Sequence, residues 1–242
     1  VRTSARNIDV DIPTGVLVTA PIDPTSPPGP GDLAPTGFLD ADDERVVDFA
    51  RSVTASCGDD ASRTAALFAE VRDRIWYDPH DVSRDPADYR ASSVLAGRQR
   101  WCVPKSVLLS TACRAVGIPA RLGFADVRNH LQSASLRERM GTDVFYWHGY
   151  SVLWVDGRWR KASPAFNREL CDRFGTEPLD FDGHRDALLH AHAGDGARYM
   201  EYLGYRGIYD DLPLDEILAS FGELYGAGRP AADDDPMFTS PP

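Results

Sequence analysis

A cysteine stands where a loop turns into an apolar helix, in the run Trp101-Cys102-Val103-Pro104-Lys105-Ser106-Val107-Leu108-Leu109. Leu108, Ala112, Ala115 and Val116 follow at helical spacing, and Gly117-Ile118-Pro119 supplies a stop. A helix start presents unpaired backbone N–H groups and the positive end of the macrodipole, which together stabilise a thiolate and lower the thiol pKa. Pro104 fits that first turn, where its missing N–H costs nothing. Taken by its local pattern alone, Cys102 reads equally well as a small buried residue. Cys113 falls near the apolar stripe of the same helix, and Cys57 and Cys171 have no local partner, so all three read as structural.

A cysteine nucleophile needs a base, and the strand pattern offers His148. Val144 to Val155 is rich in aromatic and branched residues and predicts a long strand. Asp156-Gly157 is a two-residue hairpin signal, and Arg158 to Ser163 is its return strand before Pro164 ends regular pairing. That turn sets Val155 opposite Arg158, Trp154 opposite Trp159, Val152 opposite Lys161 and Tyr150 opposite Ser163. Side-chain alternation then makes Ser163 the diagonal neighbour of His148, roughly 5 to 8 Å away. A hydroxyl there could orient the imidazole. Asn167, shortly past Pro164, is another candidate, as are Asp126 and Asn129, which end the neighbouring strand, and Ser163 and Asn167 are each also ordinary turn residues.

The remaining elements frame these groups. Residues 1 to 20 hold short alternating stretches, and Pro21 to Pro35 carries six prolines and reads as a linker or surface loop. Residues 1–40 are therefore expected as an N-terminal extension, 41–228 as the main domain carrying Cys102 and His148, and 229–242 as an acidic, proline-bearing, flexible tail. Amphipathic helices are expected from about Asp42 and from Asp60 or Ser62 to Ile75, and loop from Tyr77 to Tyr89. A strand runs from Ala120 to Ala125, followed by a short helix or loop over Leu131 to Thr142. A short helix is expected over Leu170 to Phe174, a strand over Tyr199 to Tyr205 and a last helix over Asp215 to Tyr225.

Composition narrows the function classes. The net charge of −11 argues against nucleic-acid and anionic-membrane binding, which need clustered Lys and Arg. Four cysteines without a C-x-x-C pair and scattered histidines, with His190 and His192 lacking a third ligand, predict no metal site and no cofactor. No run approaches the roughly 20 apolar residues of a membrane span, and Val1 to Ile12 has no apolar core of the export-signal kind. The cytoplasm, where thiols stay reduced, is the expected location.

A cysteine at a helix start, then strands with a histidine on the first, is the order of parts in papain-type chemistry. The run Cys102 to Leu109 with Arg114-Ala115-Val116-Gly117-Ile118-Pro119-Ala120-Arg121 resembles the cysteine helix and following strand of the transglutaminase-like superfamily. His148-Gly149-Tyr150 through Trp154-Val155-Asp156-Gly157-Arg158-Trp159 resembles its histidine strand and hairpin, over about residues 65 to 165 altogether. The resemblance implies an α+β, papain-like fold with the nucleophile helix packed on an antiparallel sheet. It also implies acyl transfer through a Cys102 thioester, with His148 as base and then acid. Where the family usually carries a triad aspartate, this chain has Ser163.

Hydrolysis of an amide or peptide-like bond is the expected reaction, because water needs no dedicated site. Transfer or cyclisation of a small acyl metabolite, or a non-catalytic binding role, are the alternatives. Trp101 and Gln99 are expected near the oxyanion hole with the Cys102 N–H. Asp126, Asn129 and His130, at the end of the neighbouring strand, are expected at the substrate, a peptide-like or small acyl molecule.

Overall fold

The structure, a computed structural model, describes residues 22–130, 132, 134–190, 199–225 and 238. The chain is α+β, with helices preceding a four-stranded antiparallel sheet. Helices α1 (Glu44–Thr54) and α2 (Asp60–Arg74) are capped by Asp43 and Asp59, whose carboxylates accept the N–H groups of Arg45 and Ser62. Such caps satisfy donors that a helix start otherwise leaves open. Strand β1 (Trp76–Tyr77) follows, then α3 (Ala91–Ala96), β2 (Gln99–Arg100) and the cysteine helix α4 (Cys102–Ala115). β1 and β2 pair in parallel, with Tyr77 opposite Arg100. The stretches expected as loop around Tyr77 and Gln99 thus hold each other, and Arg100 delivers the chain to Cys102.

β3 (Ala120–Asn129), α5 (Ala134–Met140), β4 (Val144–Val155), β5 (Arg158–Ala162), α6 (Arg168–Phe174), β6 (Met200–Tyr209) and α7 (Leu214–Leu224) complete the α-helices and strands of the described residues. The sheet order is β5-β4-β3-β6. β4 and β5 pair as the turn dictates, Trp154 opposite Trp159 and Val152 opposite Lys161. Asp156 and Gly157 take φ of 50° and 76°, the left-handed pair that a two-residue hairpin requires.

α4 is buried from Cys102 to Arg114, so it is the central rod of the core rather than an amphipathic surface helix. α1, α2 and α3 pack around it on one side and β3 and β4 on the other. Its polar side chains are each satisfied. Ser110 bonds Ser151 at 2.9 Å, and Ser151 returns to the Ser106 carbonyl at 3.1 Å. Arg114 caps the carbonyls of Ala120, Ala34 and Asp210. Gly117, at φ 84°, turns the chain out of α4, and Ile118 N–H closes on the Cys113 carbonyl at 2.9 Å.

The proline-rich stretch, over its described part from Ile22, is a surface segment, exposed over most of its length and pinned to β5 by hydrogen bonds. The Pro24 carbonyl accepts Trp159 N–H, the Ser26 carbonyl accepts the Trp159 indole at 2.8 Å, and buried Asp32 pairs with Arg121. In the C-terminal tail, Phe238 is the described residue, and it is 7% exposed. The strands expected within residues 1 to 20 lie outside the described residues. Among the described residues no helix is long and apolar enough to cross a membrane, and no cluster of His, Cys, Asp or Glu could hold a metal ion.

Candidate active site

The site is assembled by a close contact between the residues that follow the cysteine and the histidine. Gly149 lies against Val103 so tightly that a Cβ on it would stand 3.0 Å from the Val103 Cα. A side chain at this position would need the Val103 backbone to give way by a few tenths of an ångström. Cys102 and His148 immediately precede these two residues, and both are buried, at 5% and 4% exposure. Cys102 occupies the first position of α4, after an extended Trp101 at the N-cap. No acidic side chain lies in that first turn, so nothing there opposes the helix end's attraction for an anion.

His148 Nε2 lies 3.1 Å from Ser163 Oγ. The diagonal relation expected from the hairpin register is a side-chain contact. With Nε2–H donated to Ser163, the Nδ1 lone pair is the one available for a proton. Ser163 is itself fixed by its N–H to the Ala187 carbonyl at 2.9 Å. The Tyr202 ring stands edge-on to His148, with centroids 6.2 Å apart. Asn167, another candidate orienter, spends its side-chain oxygen elsewhere. It accepts Tyr77 N–H at 3.1 Å and so ties the start of α6 to β1.

Burial pushes the His148 imidazole down to about 4. At neutral pH the ring is therefore a neutral base. A thiolate beside it would work the other way by favouring the imidazolium, so the pair would titrate together. Lys105, one turn along α4, is fully buried, and its ammonium donates to the carbonyls of Arg72, at 2.8 Å, and Ile75. Burial lowers its pKa to about 7, while Asp73, Cys171 and Cys102 hold it up. A cation within electrostatic reach of Cys102 escaped the sequence reading, since a lysine in an apolar helix gives no sign of where its head goes. Burial pushes the Cys113 thiol well above its ordinary value, and Cys171 is raised for the same reason, as suits unreactive cysteines.

A pH prediction follows from His148. The unfolded ring binds a proton near pH 6.5 and the native ring near 4, so between these values the unfolded state holds more protons. The contribution is complete above about pH 6.5 and is lost as pH falls towards 4, reaching about 3 kcal/mol. Urea melts at pH 7 and pH 4.5 should show His148→Gln losing much less stability across that interval than wild type. Equal losses would exclude the buried neutral ring.

The strand-end candidates divide. Asp126 is not free for a substrate. Its carboxylate is held by Arg206, with Nε at 2.5 Å and Nη2 at 2.9 Å, and it accepts Trp147 N–H at 3.2 Å. The cause is a break in β3–β4 register between Ala125 and Val127, which leaves Trp147 outside the ladder at φ 58°. The carboxylate takes the place of the ladder partner, one residue before His148. Asn129 lines an aromatic cavity described below. His130 pairs with Glu201 at 3.0 Å, on the β3–β6 edge. Gln99 donates to Asp78 at 3.2 Å, and Trp101 packs on Tyr89 and Phe221, with ring centroids 6.4 and 5.9 Å away. Neither contact singles out an oxyanion-hole role. Gly149, by contrast, was detectable, since a glycine inside a strand signals close backbone approach.

The chain is similar to several solved structures. One is a candidate cysteine protease from Cytophaga hutchinsonii, at 14% identity and TM-score 0.42, covering 74% of this chain and 53% of that one. Another is a candidate protease from Parabacteroides distasonis, at 16% and 0.35, covering 51% and 25%. A third is the arylamine N-acetyltransferase from Mycobacterium abscessus, at 16% and 0.45, covering 80% and 75%. The chain thus spans about half the length of the first and a quarter of the second. No curated protein sequence matches it. Residues 47–164, which hold the cysteine helix, the histidine strand and the hairpin, match the model of the Transglutaminase-like superfamily.

Proposed function

We propose that this protein is a cysteine-dependent acyl-transfer enzyme whose default reaction is hydrolysis of an amide or peptide-like bond. The observation that carries this reading is the His148 Nε2 to Ser163 Oγ contact at 3.1 Å, made where the Gly149–Val103 approach brings the histidine strand onto the start of the Cys102 helix. His148 takes the Cys102 proton, and the thiolate attacks the carbonyl carbon of the substrate. The C–N bond breaks as His148 gives its proton to the leaving amine, and the acyl group remains on sulfur. Water, deprotonated by the same ring, then attacks the thioester, the C–S bond breaks, and a carboxylate leaves. Backbone N–H groups at the α4 start are suited to hold the oxyanion.

Ser163 orients the ring without supplying charge. The imidazolium formed in acylation is therefore supported mainly by the thiolate it leaves behind, and the one formed in deacylation by the oxyanion of the tetrahedral intermediate until its proton returns to the departing sulfur. Trapping tests the reading. Activated thioesters and p-nitroanilides are incubated with the protein, quenched in acid and mapped by peptide mass spectrometry. The expected adduct is an acyl group on Cys102 that forms on wild type, is absent in Cys102→Ala, and is discharged by water. Discharge faster by added amines than by water would make the enzyme a transferase. Failure of any acyl donor to load Cys102 would overturn the reading.

A further inference from the structure

Beside the site lies a cavity of about 80 Å³ walled by Tyr77, Phe145, Phe166, Phe174, Tyr199 and Phe238. Asn129, Gln132 and Thr176 supply its polar edge. Three connections tie it to the proposed chemistry. Tyr77 pairs with Arg100, two residues before Cys102. Phe166 follows Ser163 by three residues. A smaller cavity, lined by Ser163 itself, shares Phe166, Thr176 and Tyr199 with the larger one.

Two features of the walls speak for a ligand. Phe238 is a ring from a distant part of the chain, inserted edge-on against Tyr77, with centroids 6.2 Å apart, and against His80 at 5.9 Å, and tilted against Phe174 at 5.7 Å. Its backbone carbonyl accepts the Trp76 indole N–H. This corner of the molecule therefore already binds one phenyl group. The Gln132 side-chain oxygen is buried and has no hydrogen-bond partner among the described residues, while its amide nitrogen contacts Met140 Sδ at 3.1 Å. A buried acceptor left open is costly, and a ligand N–H or O–H would relieve it.

We propose that this cavity is the acyl-side pocket of the enzyme and takes an aromatic or bulky apolar group that carries a hydrogen-bond donor, with Phe238 standing in for part of that group when no substrate is bound. The assignment rests on the acyl-transfer reading and adds the substrate class to it. The space left beside Phe238 suits only a few heavy atoms, so a ring-bearing substrate displaces the Phe238 ring. That displacement breaks the Phe238 ring contacts and replaces them with those of the substrate ring, while the Phe238 backbone carbonyl can keep the Trp76 indole N–H.

The test compares alkylation of Cys102 by iodoacetamide and by N-phenyliodoacetamide. Each rate is normalised to that of glutathione and mapped by peptide mass spectrometry to separate Cys102 from Cys57, Cys113 and Cys171. The aryl reagent should be favoured at Cys102 by about tenfold and show saturation. Phe238→Ala should raise that preference severalfold, and Thr176→Phe, which puts a ring into the cavity from its polar edge, should reduce it to near unity. If Phe238→Ala fails to fold by circular dichroism, wild type and Thr176→Phe decide alone. Equal normalised rates for the two reagents in wild type, with Cys102 still reactive towards iodoacetamide, would overturn the pocket and leave the acyl-transfer reading standing. A Cys102 that is inert to iodoacetamide at neutral pH would instead overturn the reading on which the pocket depends.

Discussion

His148→Ala should cut the rate of Cys102 alkylation by iodoacetamide at pH 6 by about 10²-fold, the low end of what a positioned general base is worth. In wild type the neutral ring can take the thiol proton as the sulfur attacks, whereas without it only the roughly 0.3% of an ordinary thiol of pKa near 8.5 that is ionised at that pH can react. The same variant should lower acyl loading by about 10²- to 10⁴-fold, the usual worth of a positioned general base. Ser163→Ala provides the scale for comparison. It removes one neutral hydrogen bond to the ring, at 3.1 Å, and should cost only about two- to tenfold, matching the roughly 0.5–1.5 kcal/mol of such a bond. Ser163→Asp restores a carboxylate at this position. Its charge would favour the imidazolium and raise the histidine pKa from the value near 4 that burial imposes. The ordering His148→Ala far below Ser163→Ala is the required result. A thiol in His148→Ala that titrates as in wild type would exclude the histidine as base.

The sequence revealed the parts of the site that depend on local rules. The Asp156-Gly157 turn has one favoured geometry, so the β4–β5 register and the nearness of His148 to Ser163 could be worked out by counting residues. α4 was visible through its spacing and its Gly117 stop. What stayed hidden depends on contacts between distant residues. Arg206 and Asp126 are 80 residues apart. Two-residue strands such as β1 and β2 have no periodicity to detect. The hold of Pro24 and Ser26 on Trp159 is another such distant contact. Proline lacks an N–H but its carbonyl still accepts, so such a segment can be fixed by donors from a neighbouring strand. Phe238, in a stretch whose acidic and proline composition suggests only a solvated tail, is held by rings that lie far back in the chain.

Replacing Arg206 with Met should be the most damaging single change to stability outside the apolar core. Arg206 and Asp126 side chains are 8% and 9% exposed, and the guanidinium also lies over the Trp147 ring, 4.9 Å from its centroid. Removing the cation leaves a buried carboxylate without compensation, which typically costs about 3–5 kcal/mol. The exposed Arg45–Asp43 pair, treated the same way, should change stability by no more than about 1 kcal/mol. The double variant Asp126→Asn with Arg206→Met should recover part of the loss, because no net charge is then buried and the Asn oxygen can still accept Trp147 N–H. Urea melts of the three variants check the energetic argument, and a loss below about 1 kcal/mol in Arg206→Met would exclude it. The consequence for the site follows from Trp147, whose left-handed backbone is one residue from His148 and is kept there by Asp126. Such a conformation persists only where its surroundings impose it. The double variant, folded but with a looser hold on Trp147, should therefore show an apparent Cys102 thiol pKa shifted back towards 8.5, a change that lost stability alone would not produce.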